Sequence, residues 1–456
     1  MQTGATDPGG CNREDEKMAR KRKDAGVDLG RRRLLKTGAA AGLVGGAMAA
    51  GLPLRPARAK TDTIRIGYLT SITGPRAAFS EPAEWNLGKI REALKNGLQI
   101  GGKTYQVEIL MRDTQSTPTR AGSVGSDLVL REQVDLLLGD DGDSHYAVGE
   151  LCDQVGLPFM STMTQWEPFL NARSSSPEKG YPWTYLFFWG ARDIGVNYVA
   201  QWNQLQTNKV VGDLYLDHPA GQAFADLETG IPAAMQASGY TRSAGGFYRP
   251  DTDDFSNQVA QFKAAGTGIV TGFLFPPHFV TFWNQAAQAG LKPEICTVAA
   301  AFLFPSGVEA LGDRGDGMST EVWWTPNVPF ASSLTGQSAR QVADQWQADT
   351  GRQWTQPLGY MHALFEVGVA MLKNAGDPLD REAVRKATDN LSVDTLVGPV
   401  NFRDSKIRNV AVTQMAMGQW RKTAGGPFPY DLKITWNATA PDIHPETELV
   451  PLSKLA

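Results

Sequence analysis

Ser144 and His145 stand side by side in "VDLLLGDDGDSHYAVGELC" (residues 134–152), directly after three closely spaced aspartates, Asp140, Asp141 and Asp143. Three chemistries fit those residue types. A serine beside a histidine suggests a nucleophile and its base, and clustered carboxylates suggest a site for a hard cation such as calcium or magnesium. A serine at a helix start suggests a loop that holds an anion. The hydrolase reading fits poorly, because adjacent residues on a strand-to-helix turn point in different directions and triad members meet across a fold. Neither GxSxG nor HExxH occurs. The cation reading lacks the later acidic ligand that an EF-hand loop needs. The third reading requires only that "VDLLLG" ends a strand and "YAVGELCDQVG" forms a helix. Ser144 or Asp143 then takes the N-cap, Ser144 donates its hydroxyl to a ligand, and His145 and Tyr146 lie at the rim. The aspartates become solvated loop.

Those elements belong to a longer alternation. From Thr63 onward "TIRIGYLT", "YQVEILMRDT", "VDLLLG" and "LPFMST" read as strands. The amphipathic runs "EPAEWNLGKIREALKNG", "TRAGSVGSDLVLREQ" and "YAVGELCDQVG" lie between them. This is the grammar of βαβ units around a parallel sheet. After the turn-rich "NARSSSPEKGYP" (171–182) it restarts with the strand "KVVGDLYLD" and a helix spanning "QAFADLETGIPAAMQASG". "SNQVAQFKAAG", "TGIVTGFLF", "FVTFWNQAAQAG" and "EICTVAAAF" continue it. Two α/β halves predict a bilobal molecule with a ligand cleft between the lobes. Helices in 346–376 come after the second half is complete, so the chain is expected to cross back. The stretch from Trp436 to Ala456 is weakly patterned and reads as a surface-packed tail.

The chain has 456 residues, 42% hydrophobic and 20% charged, enough for two cores. "GRRRLLKTGAAAGLVGGAMAAGLPLRPARA" (30–59) joins an arginine cluster, an apolar small-residue segment and an Ala-x-Ala ending. That is a secretory leader of twin-arginine type, with cleavage expected after Ala59 and no membrane insertion afterwards. Without residues 1–59 the chain holds 32 basic and 42 acidic residues, a net charge of −10 against −4 for the whole. That balance disfavours a nucleic-acid partner. Cys152 and Cys296 remain. They could pair, but apolar surroundings make buried free thiols the expectation, and no CxxC suggests a redox or zinc site. No cofactor is expected.

"IRIGYLTSITGP" resembles the opening strand and ligand loop of type I periplasmic solute-binding proteins, nearest the leucine/isoleucine/valine-binding family of ABC importers. Ordered matches follow in "GGKTYQVEILMRDTQSTPTRAGSVGSDLV", "VDLLLGDDGDSHYAVGELCDQVGLPFMS", "DTDDFSNQVAQFKAAGTGIVTG" and "LGYMHALFEVGVAMLKNAG", over about Ile64 to Phe402. The resemblance implies two lobes, each a parallel sheet flanked by helices, joined by three crossovers near 182–190, 318–326 and 396–402. Lobe one would comprise 60–185 plus 322–396, and lobe two 186–321 plus 397–456. It also implies a monomeric periplasmic protein that delivers a small molecule to an ABC permease and performs no catalysis. A ligand sensor of the same fold is the alternative.

Site residues follow from the family's ligand loops. The family holds a ligand carboxylate with a serine after the third strand of lobe one, which points to Ser144, with His145 beside it. The end of the next strand supplies Met163, Thr164 and Gln165, with Trp166 as a wall. Phe79 matches an aromatic wall, with Ser80 next to it. In lobe two Ala220 replaces a frequent aromatic, which opens space, and Phe275, Pro276 and His278 fall in a contact loop. Amino-acid binders of the family usually carry an acidic residue for the ligand's ammonium in the stretch matching "TVAAAFLF". Here Ala299, Ala300, Ala301 and Phe302 occupy it, and the next acid is Glu309. An enclosed ammonium without a counter-charge is poorly compensated. The expected ligand is therefore an aromatic or aliphatic carboxylate, or an amide, with branched-chain amino acids as the alternative.

Overall fold

Strand β1 (Thr63–Thr70) runs inside a seven-stranded sheet, and its last five residues are all buried. Such a run is what a parallel strand covered on both faces requires. The computed structural model describes residues 62–455, so the expected leader lies outside the described residues. After β1 come β2 (Leu98–Ile100), β3 (Lys103–Asp113), β4 (Leu136–Gly139), β5 (Phe159–Thr162) and β6 (Thr184–Phe187). Strand alternation divides the apolar residues between two faces. Leu136 and Leu138 join Ile64, Ile66 and Tyr68 in the large core, under helix Pro357–Asn374. Leu137 joins Leu69, Val124, Val148 and Cys152 in a second core, under helices Pro118–Ser126 and Gly142–Val155. Helix Pro357–Asn374 is buried almost all round, which its apolar sequence permits.

The second sheet takes β7 (Val210–Leu216), β8 (Thr241–Tyr248), β9 (Ile269–Phe273), β10 (Ile295–Ala299) and β11 (Ser319–Val322), all parallel. β12 (Ser392–Thr395) and β13 (Gly398–Asn401) form a separate hairpin. β14 (Val410–Ala411) then pairs with β6 in the first sheet, and β15 (Ala416–Lys422) and β16 (Tyr430–Trp436) extend the second sheet antiparallel. The orders are β14-β6-β5-β4-β1-β3-β2 and β16-β15-β11-β10-β9-β7-β8. Two mostly parallel sheets flanked by helices make the two-lobed α/β fold that the alternation predicts.

The chain thus leaves the first sheet after Phe187, returns after Val322 and leaves again after Ala411. The third crossing lies beyond the 396–402 expected. That segment is held in lobe one by the β12–β13 hairpin and by Leu396, whose N–H donates to Glu366 of helix Pro357–Asn374 at 2.8 Å. The helix expected over 222–239 is two helices, Pro219–Ala225 and Ile231–Ala237. Asp226 breaks it by accepting the N–H groups of Glu228 (2.9 Å) and Thr229 (2.8 Å), a local turn that competes with helix. The C-terminal tail is strapped to lobe two. Gln419 exchanges two hydrogen bonds with the Val450 backbone, at 2.8 and 3.0 Å, and Leu452 donates to the Glu294 carbonyl at 2.8 Å. Cys152 and Cys296 are free thiols buried in different lobes.

Close packing holds the first crossing. Glu167, from the helix after β5, accepts the N–H groups of Ala191 (2.8 Å) and Arg192 (3.2 Å). It thereby places a carboxyl at the positive start of helix Ala191–Trp202 in lobe two. Gly190 must be small, because an added Cβ would lie 2.1 Å from the Trp166 indole nitrogen and 2.6 Å from Glu167 Oε1. Gly190→Ala is expected to cost about 1–3 kcal/mol of unfolding free energy, measured by urea denaturation at unchanged m-value.

Candidate functional site

Asp141, rather than Ser144 or Asp143, caps helix Gly142–Val155. Its Oδ1 accepts both the N–H and the hydroxyl of Ser144, each at 2.6 Å. Its Oδ2 accepts the hydroxyls of Ser71 and Thr114, each at 2.7 Å. Asp140 lies buried beside it, hydrogen-bonded by Tyr68, and burial pushes its carboxyl up to about 8. Asp140 and Asp141 are therefore internal acceptors, which corrects the expectation of a solvated loop. Ser144 is wholly buried with its hydroxyl turned to Asp141. His145 is buried too, edge-on to Phe169 and Tyr146, and so is no rim residue. Burial first, then the nearby Arg173 and Arg76, holds its ring well below the ordinary imidazole range and neutral. The serine and histidine do not meet as nucleophile and base.

The lobes instead meet around an inner chamber of about 40 Å³. Lobe one supplies Arg76, Phe79, Gly142, Met163, Thr164 and Gln165. Lobe two supplies His218, Ala220, Phe224, Phe273, Phe275, Ala300 and Leu303, while Trp189, Glu321 and Trp323 stand at the crossings. Arg76, His218 and Phe275 also line an outer chamber of about 810 Å³, with Tyr146 and His278 on its wall. Aromatic edges and faces build the inner wall. Phe79 of lobe one meets Phe304 at 4.9 Å and Phe275 at 6.5 Å across the cleft, and stacks on Trp323. Met163 (φ +56°) and Ala300 (φ +65°), one from each lobe, hold left-handed backbone without being glycine. Such strain is concentrated at ligand clamps.

Of the residues proposed from sequence, Phe79, Met163, Thr164, Gln165, Ala220 and Phe275 stand on the inner wall and His278 on the outer. Ser80, Trp166, Ala301 and Phe302 stand on neither. Ser80 is tied back to Thr70 (2.8 Å) and the Ser71 N–H (3.1 Å). Trp166 is turned toward Gly190. Phe302 packs edge-on against Phe279, while its carbonyl accepts the Trp420 indole N–H at 2.7 Å. The left-handed turn at Ala300 rotates the loop so that Ala300 and Leu303 face the chamber.

Arg76, His218 and the carboxyl of Glu321 are wall groups that the sequence did not single out, whereas Trp189 and Trp323 come from the aromatic-rich stretches "FFWG" (187–190) and "EVWW" (321–324). His218 sits at the N-cap of helix Pro219–Ala225, its Nδ1 accepting the Ala220 N–H at 3.2 Å. Burial first, then the nearby Arg76, brings it down to about 4. Glu321 puts an acid on the chamber wall, where the sequence reading expected none. The loop after β10 carries none, but the next strand, β11, delivers one to the same place. Its Oε2 accepts Tyr198 (2.7 Å) and Thr320 (2.9 Å), its Oε1 accepts the Ala300 N–H at 3.4 Å, and burial pushes it up to about 7. Because the loop after β10 is apolar, only the strand pairing reveals which acid is brought in.

A family model described as "Periplasmic binding protein" matches residues 63–426. The chain belongs to the periplasmic binding protein family. This binding protein shares its type I fold with solved structures at low identity. A leucine-binding protein from Thermotoga maritima aligns at TM-score 0.67 and 15% identity, covering 82% of this chain and 99% of that one. A solute-binding protein of an ABC transporter from Rhodopseudomonas palustris, solved with 3,4-dihydroxybenzoic acid, gives 0.66 and 15%, covering 85% and 99%. A branched-chain amino acid binding protein from Streptococcus pneumoniae, solved with isoleucine, gives 0.62 and 17%, covering 82% and 99%. No helix among the described residues is long and apolar enough to cross a membrane.

The geometry separates structural from cleft residues. Ser144→Ala is expected to cost about 1 kcal/mol of stability, because the Asp141 cap survives through the backbone N–H. Urea denaturation of the variant measures that loss. Glu321 also makes stability pH-dependent. Its carboxyl is raised from 4.5 to about 7, so its contribution is complete below about 4.5 and lost as pH rises through about 7. Between pH 5 and 8 the protein should lose about 2–3 kcal/mol more than its Glu321→Gln variant, by denaturant titration at each pH.

Proposed function

We propose that this periplasmic binding protein captures a small organic carboxylate between its lobes and presents it to an ABC transporter permease. The observation that carries the reading is the polarity of the inner wall. Arg76 supplies a guanidinium fork suited to a carboxylate, and it lies close to the start of helix Gly142–Val155, an end that favours anions. Among the described residues, the indole N–H groups of Trp189 and Trp323, both on chamber-lining residues, have no hydrogen-bond partner, nor does Gln165 Oε1. Donors thus outnumber acceptors, which suits an acceptor-rich ligand. Six phenyl and indole side chains around them suit an apolar or aromatic body. Export of the chain through residues 1–59, a periplasmic site of action and a monomeric state belong to the same reading, as do hydrogen bonds to the ligand from Thr164 and Gln165.

Glu321 favours a second reading, an amino acid whose ammonium would meet that carboxyl. Thermal-shift screening with benzoate, 3,4-dihydroxybenzoate, hexanoate, benzamide, leucine and phenylalanine separates the two. A ligand at 100 times its Kd adds about 2.7 kcal/mol of stability. A carboxylate lacking an ammonium is expected to give that shift, and Arg76→Gln to weaken it roughly 10–100-fold, the value of a charged hydrogen bond. Stabilisation by leucine or phenylalanine alone would select the second reading.

A further inference from the structure

The two chambers of the cleft adjoin but differ in size and in polarity. Arg76, His218 and Phe275 line both and so form the neck between them. The inner chamber, about 40 Å³, has room for about three waters. Neither benzoate nor leucine fits in it whole, whereas the outer chamber, about 810 Å³, is as large as the site of a drug-sized ligand. Inside, polar groups are left over: among the described residues, the Trp189 and Trp323 indole N–H groups and Gln165 Oε1 find no partner. Outside, most are engaged within the protein. The Ser116 hydroxyl donates to the Thr73 carbonyl (2.8 Å) and accepts the Arg76 N–H (3.1 Å), and Gln222 donates to Asp217 (3.0 Å). His278 donates from Nε2 to the Pro250 carbonyl at 2.9 Å, and Asp226 holds the turn at Glu228 and Thr229. Five prolines complete much of the outer wall, Pro75, Pro118 and Pro168 from lobe one and Pro219 and Pro250 from lobe two. A proline ring offers apolar surface without an N–H and has little freedom to lose when a ligand covers it.

We propose that the ligand is an elongated amphiphile, a monocarboxylate whose acidic end sits in the inner chamber and whose apolar tail passes the neck to lie between the proline walls of the outer one. The inference rests on the carboxylate reading above and extends it from the head of the ligand to its length. Orientation follows from bringing the polar end to the unmet polar groups. The reverse would put hydrocarbon against two indole N–H groups and a carboxylate among side chains that are already bonded. It requires no free charge on Arg76, whose guanidinium already acts on the buried Asp140 carboxyl. His218 adds no charge to the neck: its Nδ1 accepts the Ala220 N–H, and burial holds the ring down at about 4. The rings of the inner wall then flank only the carbons next to the carboxylate.

The test is calorimetry with hexanoate, octanoate and decanoate on the unsubstituted protein and on two variants that fill the outer chamber from opposite lobes, Ala172→Trp and Ala223→Trp. Ala172 is exposed and Ala223 half-buried on that wall, so each position has space for a larger side chain, and thermal melting shows whether each variant is folded. Affinity is expected to rise about 2–4-fold for each added methylene, at one ligand per protein. In a folded variant the ratio of decanoate to hexanoate affinity should fall at least roughly tenfold, as the tail loses its place. A series that is flat or falls with length overturns the inference and leaves carboxylate capture standing, as does a ratio unmoved in both folded variants. Failure of all three acids to bind overturns both.

Discussion

One saturated carboxylate organises the chamber-facing end of lobe one. Asp141 accepts four hydrogen bonds, about the number of lone-pair sites a carboxylate offers, from Ser71 after β1, Thr114 after β3 and Ser144 in the following helix. Three connections that diverge from three strands are thereby drawn to one point. The loop bearing Arg76 and Phe79, the helix start at Gly142 and the sheet edge between them take their positions from it. A buried carboxylate with fewer partners would be costly; with four it is a rigid corner.

Much of this was legible in the sequence. The alternation of β-branched and amphipathic runs is enough to give both sheets and most helices, because buried parallel strands have few alternatives. Strand ends were legible as cleft wall for the same reason: Met163, Thr164 and Gln165 stand where a parallel strand must end at the cleft. What failed was the direction of side chains at turns. Ser144 and Asp141 are both good N-caps by type, and only the hydroxyls of Ser71 and Thr114 decide between them. The loop at 299–303 is misread because a left-handed alanine at 300 cannot be foreseen from a run of alanines. Glu321 escaped notice because its relation to that loop is set by the pairing of β10 with β11, a fact about sheets rather than spacing. The third crossing was misplaced because two-residue β14 carries no periodic signal.

The two lobes contribute differently to the cleft. Lobe one offers a cation, hydroxyl and amide groups, and a helix start; lobe two offers rings and small residues; the crossings offer two indoles and an acid. Polar wall groups therefore sit on the half whose core is pinned by Asp141, and mostly apolar ones face them. The crossings carry Trp189, Glu321 and Trp323, so any change in lobe angle moves wall groups directly.

Cys152 and Cys296 lie in separate cores, each with its thiol raised by burial, and neither is bridged. A protonated, enclosed thiol is a poor nucleophile. Maturation of residues 62–455 therefore needs no disulfide catalyst, and oxidising surroundings have no covalent hold on the angle between the lobes.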